Sequence, residues 1–295
     1  MNLLLKQCNG AFIERVTVPD DATVDDLKRL FYEKFHFYPQ RQQWSVDSAD
    51  GVKLTGNKLS DCGVKDDSSL YFKDLGVQIS WRLVFFLEYL GPVIIFPLLY
   101  HFPGIFYGEP RFTKSPTQSW AYFMLMFHFI KREIESLFIH RFSKTTMPIR
   151  NLFTNCFHYW VLCGFGIGYY VFHPKYSTIV LVCPSEKKVL VALFFLYQFM
   201  TLMTHITLRD LRPKGTAVRG IPNKWGFQYV SCANYFWELL IWVVIALFTN
   251  TLPSYLFVVF VAIVLLKWAT KKHKRYLKEF PNYDKRRKAL IPFVY

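Results

Sequence analysis

The first 75 residues alternate short apolar stretches with polar turn residues, a pattern typical of a small domain of strands with one helix. Asn2–Gln7 and Phe12–Val18 are predicted strands. Between them lies Asn9-Gly10, a residue pair that favours the type I′ turn of a β-hairpin. The chain is therefore predicted to begin with a hairpin.

A helix is predicted after the hairpin, because Thr23 and Asp26 can cap a segment that continues to about Phe35, before Pro39. Its apolar stripe consists of Val24, Leu27, Leu30, Phe31 and Phe35. Short strands are predicted near Gln43–Val46 and Ser69–Lys73. Hairpin, helix and short strands follow the order of a β-grasp domain, so residues 1–75 resemble ubiquitin in length and layout.

We interpret residues 1–75 as a docking or folding module on the cytosolic side. Ubiquitin conjugation needs a terminal Gly-Gly, whereas Gly76 continues here into Val77. Met1–Gln7 is followed by a turn and polar sequence, which is not the apolar core of a cleavable signal peptide. Residues 76–295 are predicted to form the second domain.

Beyond Gly76 the polar spacing disappears, and long apolar runs predict a polytopic, mainly α-helical membrane bundle. Six spans are predicted, at residues 81–101, 118–139, 156–173, 189–208, 229–249 and 252–268. The second span is the least regular, since it contains Lys131, Arg132, Glu133 and Glu135. A seventh, broken span around 209–228 is the alternative count.

Charge distribution supports this membrane interpretation over nucleic-acid binding. The net charge is +15, yet residues 1–78 carry 10 basic and 12 acidic side chains, whereas residues 79–295 carry 26 and 9. The basic side chains concentrate in loops 140–155 and 209–228 and in the tail after residue 268. By the positive-inside rule, these segments and both termini lie in the cytosol. The six cysteines are scattered without a CxxC pair, so neither a zinc site nor a disulfide framework is indicated.

Ionisable residues inside the predicted spans are candidates for function. An ionised side chain at membrane depth costs about 2.5–3.5 kcal/mol on insertion scales, so it needs a reason to be there. These residues are Glu88, Lys131, Glu133, Glu135 and Glu238. The alternative is internal neutralisation, which the helical spacing of Lys131 and Glu135 allows.

The segment 231–238 combines an amide, a phenol and a carboxylate at one helix entry. Asn234 and Glu238 are four residues apart and share a helix face, with Tyr235 beside them. Such groups can orient a polar ligand and supply a proton. A basic cluster precedes the segment, and arginine forks suit the phosphates of a cytosolic cofactor. The cluster contains Arg209, Asp210, Arg212 and Arg219, and a basic tail follows at 271–275.

Several chemistries lack their motifs. No GxGxxG follows a predicted strand, and there is no Walker loop, HExxH or GxSxG. The eight histidines form no HxxxH or HxxHH box, which argues against a di-iron desaturase, and no metal site is predicted. Basic and aromatic residues interleave only at membrane flanks, so a nucleic-acid partner is not expected.

Longer motifs resemble the steroid 5α-reductase superfamily. They are the run 208–213 (LRDLRP), 220–222 (GIP), 231–235 (SCANY) with Glu238, and the tail 273–280 (HKRYLKEF). Within that superfamily the chain is similar to the very-long-chain trans-2-enoyl-CoA reductases of fatty-acid elongation. This similarity rests on the ubiquitin-like domain, the junction 73–81, and the segments 129–133 (FIKRE) and 140–148.

The resemblance implies a multi-pass enzyme of the endoplasmic reticulum that reduces the 2,3 double bond of long acyl-CoA with NADPH. It implies Tyr235 as proton donor to the α-carbon and Lys131 as essential, and we expect Lys131 to stabilise the Tyr235 anion. It implies a cofactor site at Arg209, Arg212, Asn234, Glu238, His273 and Tyr276, to which the basic cluster adds Asp210 and Arg219. Glu88 and Glu133 are candidate substrate residues. Expected partners are long-chain enoyl-CoA, membrane lipids and other fatty-acid elongation enzymes.

Three alternatives stay open. Ala233 stands where enoyl-CoA reductases usually have proline, and Ser-Cys-Ala-Asn-Tyr also occurs in steroid reductases, so a 3-oxo-4-ene steroid is an alternative substrate. A non-catalytic membrane adaptor that recruits partners through its ubiquitin-like domain is the second. An isoprenylcysteine-type methyltransferase is more distant, since nothing suggests binding of S-adenosylmethionine.

Overall fold

The structure is a computed structural model that describes residues 1–55, 58–142, 145–177, 183–213 and 220–295. The chain divides into two compact units. The N-terminal unit comprises residues 1–80 with 146–151, and the helical unit comprises residues 81–145 and 152–295. Each unit is described separately below.

A mixed four-stranded sheet forms the N-terminal unit. Its strands are β1 (Asn2–Gln7), β2 (Phe12–Thr17), β3 (Gln42–Val46) and β4 (Ser68–Asp74). They lie in the order β2-β1-β4-β3, with β1 parallel to β4 and the other two pairings antiparallel. The four strands predicted from sequence are confirmed. A short ladder of β5 (Gln78–Ser80) and β6 (Thr146–Pro148) completes this unit.

The turn of the first hairpin differs from the predicted type I′ turn. A type I′ turn needs positive φ at both central residues. Of residues 8–10, however, Gly10 alone has a positive φ, of 86°. Gly10 N donates to Gln7 O at 2.9 Å and Gln7 N donates to Ala11 O at 2.8 Å, while the strand register shifts next to Lys6. The hairpin therefore closes through a bulge, and the type I′ prediction is wrong.

Helix α1 (Val24–Phe35) begins at the predicted cap and packs on the sheet. Thr23 Oγ1 accepts from the backbone N of Asp26 at 3.1 Å, and the Asp26 carboxylate accepts from the Thr23 N at 2.9 Å. The backbone N–H groups of both Thr23 and Asp26 therefore have hydrogen-bond acceptors. The buried residues of the helix are Val24, Leu27 and Phe31, whereas Leu30 is partly buried and Phe35 is 36% exposed. The predicted stripe is correct except at its C-terminal end.

One ion pair makes the stability of the N-terminal unit depend on pH. Arg41 donates to both carboxylate oxygens of Asp74, at 3.0 and 2.5 Å, and these bonds hold the pKa of Asp74 below its ordinary value. A lowered pKa stabilises the fold above the unfolded-state pKa of about 3.9, and the stabilisation is lost as pH falls through the folded-state value. Because the pair is one-third exposed, we expect Asp74→Asn to cost about 0.5 kcal/mol at pH 7.

Hydrogen exchange of the β3–β4 amides measures this cost in the full chain. The difference between wild type and Asp74→Asn should shrink as the pH is lowered from 7 towards 2. A difference that does not change with pH would contradict the assignment.

Long helices build the second unit. They are α2 (Trp81–His101), α4 (Pro116–Ile134), α7 (Pro184–Asp210), α8 (Ala233–Thr249) and α9 (Leu252–Glu279). Shorter helices are α3 (Pro103–Tyr107), α5 (Arg150–Cys156) and α6 (Gly168–Val171). α4 continues through a π-helical turn (Glu135–Ile139), and a π-helical stretch (Phe157–Ile167) joins α5 to α6. Buried apolar residues of α2, α4, α7, α8, α9 and the π-helical stretch form one core.

Among the described residues, three helices are long and apolar enough to cross a membrane. They are α2, α7 and α9, with mean hydropathies of 2.0, 1.8 and 2.1. α8 is apolar but shorter, at 17 residues. Residues 116–139 cover the whole second predicted span, and residues 150–171 are helical over most of the third. The count of six spans stays a prediction.

Gly91 allows an indole to lie directly against α2. A Cβ placed on Gly91 would lie 2.1 Å from Trp160 Cδ1, and Trp160 Nε1 donates to the carbonyl of Leu87 at 2.9 Å. We expect Gly91→Ala to displace the indole and destabilise the helical unit by about 1–3 kcal/mol.

A double-mutant cycle with Trp160→Leu isolates this effect, read as the midpoint of thermal unfolding in detergent. Gly91→Ala should be nearly neutral once the indole is absent. An equal loss in both backgrounds would show that the close approach is not the cause.

Candidate functional site

The C-terminal residues fix the loop that leads into α8. Lys288 N donates to Tyr229 O at 3.0 Å, and its carbonyl accepts from Ser231 N at 2.8 Å. Arg287 donates to Pro222 O at 2.8 Å and to Asn223 Oδ1 at 2.9 Å. Residues 222–231 are thus held by a segment more than 50 positions later, immediately before the candidate site residues.

The first turns of α8 bring together the amide, phenol and carboxylate that the sequence analysis selected. Asn234 is 8% exposed, and Tyr235 is partly buried. Glu238 follows one turn later, and its side chain is 17% exposed. Within the described part of the chain, Asn234 Oδ1 and Glu238 Oε2 are buried without a hydrogen-bond partner. Two acceptor oxygens therefore remain available to a ligand.

The cation against Tyr235 comes from α9. Lys272 Nζ lies 5.9 Å from the centroid of the Tyr235 ring and 5.7 Å from that of Tyr276. Trp268, one turn earlier on α9, has its ring 6.2 Å from that of Tyr235. An ammonium near a phenol favours the anionic form of that phenol by Coulomb attraction.

Lys131 lies in a different set of contacts, centred on Glu135. Glu135 is 1% exposed, and its Oε1 lies 2.7 Å from Lys131 Nζ. Its Oε2 lies 3.0 Å from both Arg132 and His205 Nδ1. Arg132 also donates to Tyr89 Oη at 2.8 Å. Among the hydrogen bonds of the described residues, none joins Lys131 to Tyr235, and the expected role of Lys131 stays a prediction.

Glu135, His140 and His205 also satisfy the distances of a metal site, since their ligand atoms lie within 4.8 Å of one another. Burial lowers the pKa of His140 to about 2, so its imidazole is neutral and could coordinate. Glu135, however, already compensates two cations, Lys131 and Arg132. A divalent ion here would be repelled by both, so we assign the cluster to charge compensation.

The predicted basic cluster is partly engaged by the backbone. Arg209 Nε donates to Asp210 Oδ1 at 2.8 Å at the end of α7. Arg141 donates to the carbonyls of Arg209 and Arg212, and Arg212 donates to the carbonyl of Arg141. Arg141 therefore caps the C-terminus of α7, where cations are favourable. Arg219 lies outside the described residues.

His273 contacts the entry of α8 through Ser231. The Ser231 hydroxyl lies 2.6 Å from both His273 Nδ1 and Tyr283 Oη. Tyr276 is 2% exposed and stacks on Tyr283 with ring centroids 5.3 Å apart. Burial raises the pKa of Tyr283, so its hydroxyl stays protonated and can donate. His273 and Tyr276 thus lie on the same turns of α9 as Lys272.

The two candidate substrate carboxylates have different surroundings. Glu88 is 3% exposed, and its Oε1 accepts from Asn155 Nδ2 at 2.5 Å. Both oxygens of Glu133 are buried without a hydrogen-bond partner among the described residues. Glu133 therefore remains available for a ligand donor, whereas Glu88 is oriented by an amide.

Sequence reasoning placed Lys272 only within the basic tail 271–275, and it missed His128 and Gln198. His128 lies 3.4 Å from Glu238 and 2.9 Å from Gln198. One signal was readable for Lys272, because it precedes Tyr276 by four residues and so shares its helix face. The contacts of His128 join residues of different helices, and no local spacing indicates them.

The chain is similar to known proteins over most of its length. Residues 145–295 match the protein family described as 3-oxo-5-alpha-steroid 4-dehydrogenase. A very-long-chain enoyl-CoA reductase of Dictyostelium discoideum is 44% identical, with 92% of each chain covered. A Caenorhabditis elegans protein with the same name, qualified as "probable", is 38% identical over 98% of this chain and 96% of its own. A mouse protein named trans-2,3-enoyl-CoA reductase-like is 30% identical over 96% and 80%.

Proposed function

Since the chain belongs to the 3-oxo-5-alpha-steroid 4-dehydrogenase family, in which its 44% identical relative is a very-long-chain enoyl-CoA reductase, we propose that it reduces the 2,3 double bond of long-chain trans-2-enoyl-CoA. The product is the saturated acyl-CoA, as in the last step of a fatty-acid elongation cycle. The observation that carries this proposal is the near full-length similarity to this reductase. The family match over residues 145–295 contains the residues assembled at the start of α8.

NADPH is the proposed reductant, and the residues at the start of α8 fit such a ligand. Asn234 and Glu238 offer two buried acceptor oxygens that lack partners among the described residues, as the amide and hydroxyl donors of a nicotinamide nucleoside require. Lys271 and Lys274 are exposed on the last turns of α9, beside His273, where they can meet phosphates. Arg209, Asp210, Arg212, Arg219 and Tyr276 complete the proposed cofactor set. When bound, NADPH supplies the hydride that goes to the β-carbon.

Tyr235 is the proposed proton donor to the α-carbon. A phenol has an ordinary pKa of about 10 and is a weak acid unless a cation stabilises its anion. Lys272, whose Nζ lies 5.9 Å from the centroid of the Tyr235 ring, is the proposed cation. We propose that Lys131 is oriented by Glu135. The buried Glu135 carboxylate holds the Lys131 ammonium at 2.7 Å. Solvent protons then return Tyr235 to its neutral form.

Glu88 and Glu133 are proposed to face the substrate. The unpartnered Glu133 carboxylate is suited to a donor on coenzyme A, and Asn155 holds Glu88 in one orientation. The acyl chain would lie between the aromatic-rich helices.

Reduction of a 3-oxo-4-ene steroid is the second candidate, because the matching family is described by that reaction. A steroid enone carries no coenzyme A phosphates, so with that substrate the exposed cations of the tail would serve NADPH alone. A non-catalytic adaptor would need none of the residues at the start of α8.

NADPH oxidation by the full chain in detergent tests these candidates. A long-chain trans-2-enoyl-CoA should be turned over, with formation of the saturated thioester confirmed by mass spectrometry. Turnover of a 3-oxo-4-ene steroid alone would favour the second candidate. If neither substrate supports NADPH oxidation, both reductase proposals are refuted.

We further propose that the N-terminal unit is a ubiquitin-like β-grasp domain. The strand order β2-β1-β4-β3 with one helix across the sheet supports this.

We also propose that the protein is an endoplasmic-reticulum enzyme of six spans with both termini cytosolic. Three span-length helices and the basic loops support this topology. Protease protection of tagged termini in sealed microsomes tests the orientation.

A further inference from the structure

The Glu238 carboxylate is held through one oxygen only. Its Oε1 accepts from Trp242 Nε1 at 3.0 Å and lies 3.4 Å from His128 Nε2. Its Oε2 is buried and has no partner among the described residues. The indole donor and the close imidazole both act on Oε1, so they restrict the orientation of the carboxylate and leave Oε2 for a ligand.

His128 is itself fixed by a third helix. Its Nδ1 lies 2.9 Å from Nε2 of Gln198, and both side chains are at most 2% exposed. An amide nitrogen only donates, so His128 Nδ1 must accept and the ring proton must reside on Nε2, facing Glu238. The opposite amide orientation would leave a lone pair on Nε2 against the carboxylate, which is repulsive. Gln198 of α7, His128 of α4 and Glu238 of α8 thus form one chain of contacts, in which a hydrogen bond joins Gln198 to His128 and an electrostatic contact of 3.4 Å joins His128 to Glu238.

We propose that His128 and Gln198 are positioning residues that hold Glu238 in a single orientation, so that Oε2 is presented to an N–H or O–H donor of the bound dinucleotide. This inference rests on the proposed function. A carboxylate fixed before binding loses less conformational entropy when the ligand arrives, which increases affinity. The effect is therefore expected in cofactor binding and not in the binding of the acyl-CoA.

Gln198→Met tests the proposal, because methionine has a similar length and lacks the amide donor. We expect Kd and KM for NADPH to rise about tenfold, as follows from loss of one buried hydrogen bond. KM for the enoyl-CoA and kcat at saturating NADPH should stay within about twofold of wild type. Trp242→Phe, which removes the indole hydrogen bond to Glu238 Oε1 but keeps an aromatic ring, should act in the same direction.

Thr201→Val is the matched control. Thr201 is fully buried one turn along α7, and its hydroxyl donates to Tyr197 O of its own helix at 2.8 Å. It should leave the Kd for NADPH unchanged.

A double-mutant cycle separates positioning from a general structural role. If Gln198 acts through Glu238, Gln198→Met should have little further effect on the Kd for NADPH in a Glu238→Gln background. Full additivity in the cycle, or an unchanged Kd in Gln198→Met alone, would overturn the inference while wild-type turnover leaves the proposed function intact. A wild-type protein that neither binds nor oxidises NADPH would overturn both.

Discussion

Tyr235→Phe is expected to lower kcat/KM for the enoyl-CoA by a factor of about 10² to 10⁴, the range of a lost general acid. The substitution removes one oxygen and keeps the ring that packs on Trp268, 6.2 Å away. NADPH binding, followed by nucleotide fluorescence, should be retained. Turnover is followed as NADPH oxidation by the purified chain.

Tyr229→Phe is the matched control, since Tyr229 lies on the loop that leads into α8, with its side chain half exposed. It should retain full turnover. A second comparison separates the two candidate cations. Lys272→Gln should reduce kcat. Lys274 is exposed on the same helix, so Lys274→Gln should at most raise the KM for NADPH. Full activity of Tyr235→Phe would exclude this phenol as the proton donor.

Glu135→Gln is expected to destabilise the helical unit by about 3–5 kcal/mol, which corresponds to a fall in unfolding midpoint of about 10 °C. Its carboxylate is 1% exposed and lies within 3.0 Å of Lys131, Arg132 and His205. Neutralising it would leave two buried cations without their counter-charge. Thermal unfolding in detergent measures the loss.

Glu133→Gln provides the comparison, because Glu133 lies two residues away on the same helix and makes no ion pair among the described residues. The thermal unfolding midpoint of Glu133→Gln should stay close to that of wild type. Equal destabilisation by both substitutions would show that the charge cluster around Glu135 does not hold these helices together.

The N-terminal unit could be predicted closely because its signals are local. The bounds of β1 and α1 follow from turn residues and from the Thr23–Asp26 cap, all within a few positions of each other. The turn type was missed because Asn9-Gly10 is compatible with more than one hairpin geometry. The register shift beside Lys6 produces a bulged turn instead of a type I′ turn.

The candidate site could be predicted only as far as one helix carries it. Asn234, Tyr235 and Glu238 share a face of α8, and that spacing is readable. The partners of these residues come from other helices. Gln198 and His128 are 70 positions apart, and so are His205 and Glu135. Such contacts depend on how helices pack, which a period of 3.6 residues does not encode.

The backbone bonds from Lys288 to Tyr229 and Ser231 have a consequence for biosynthesis. Leu290, two residues later, is fully buried in the helical core. While the ribosome still holds these residues, α8 can enter the membrane, but the loop before Asn234 and Tyr235 lacks the bonds that Lys288 makes to it. The site therefore stays incomplete until residues 287–290 have left the ribosome. A ribosome stalled just after residue 280 would display inserted helices without a finished centre.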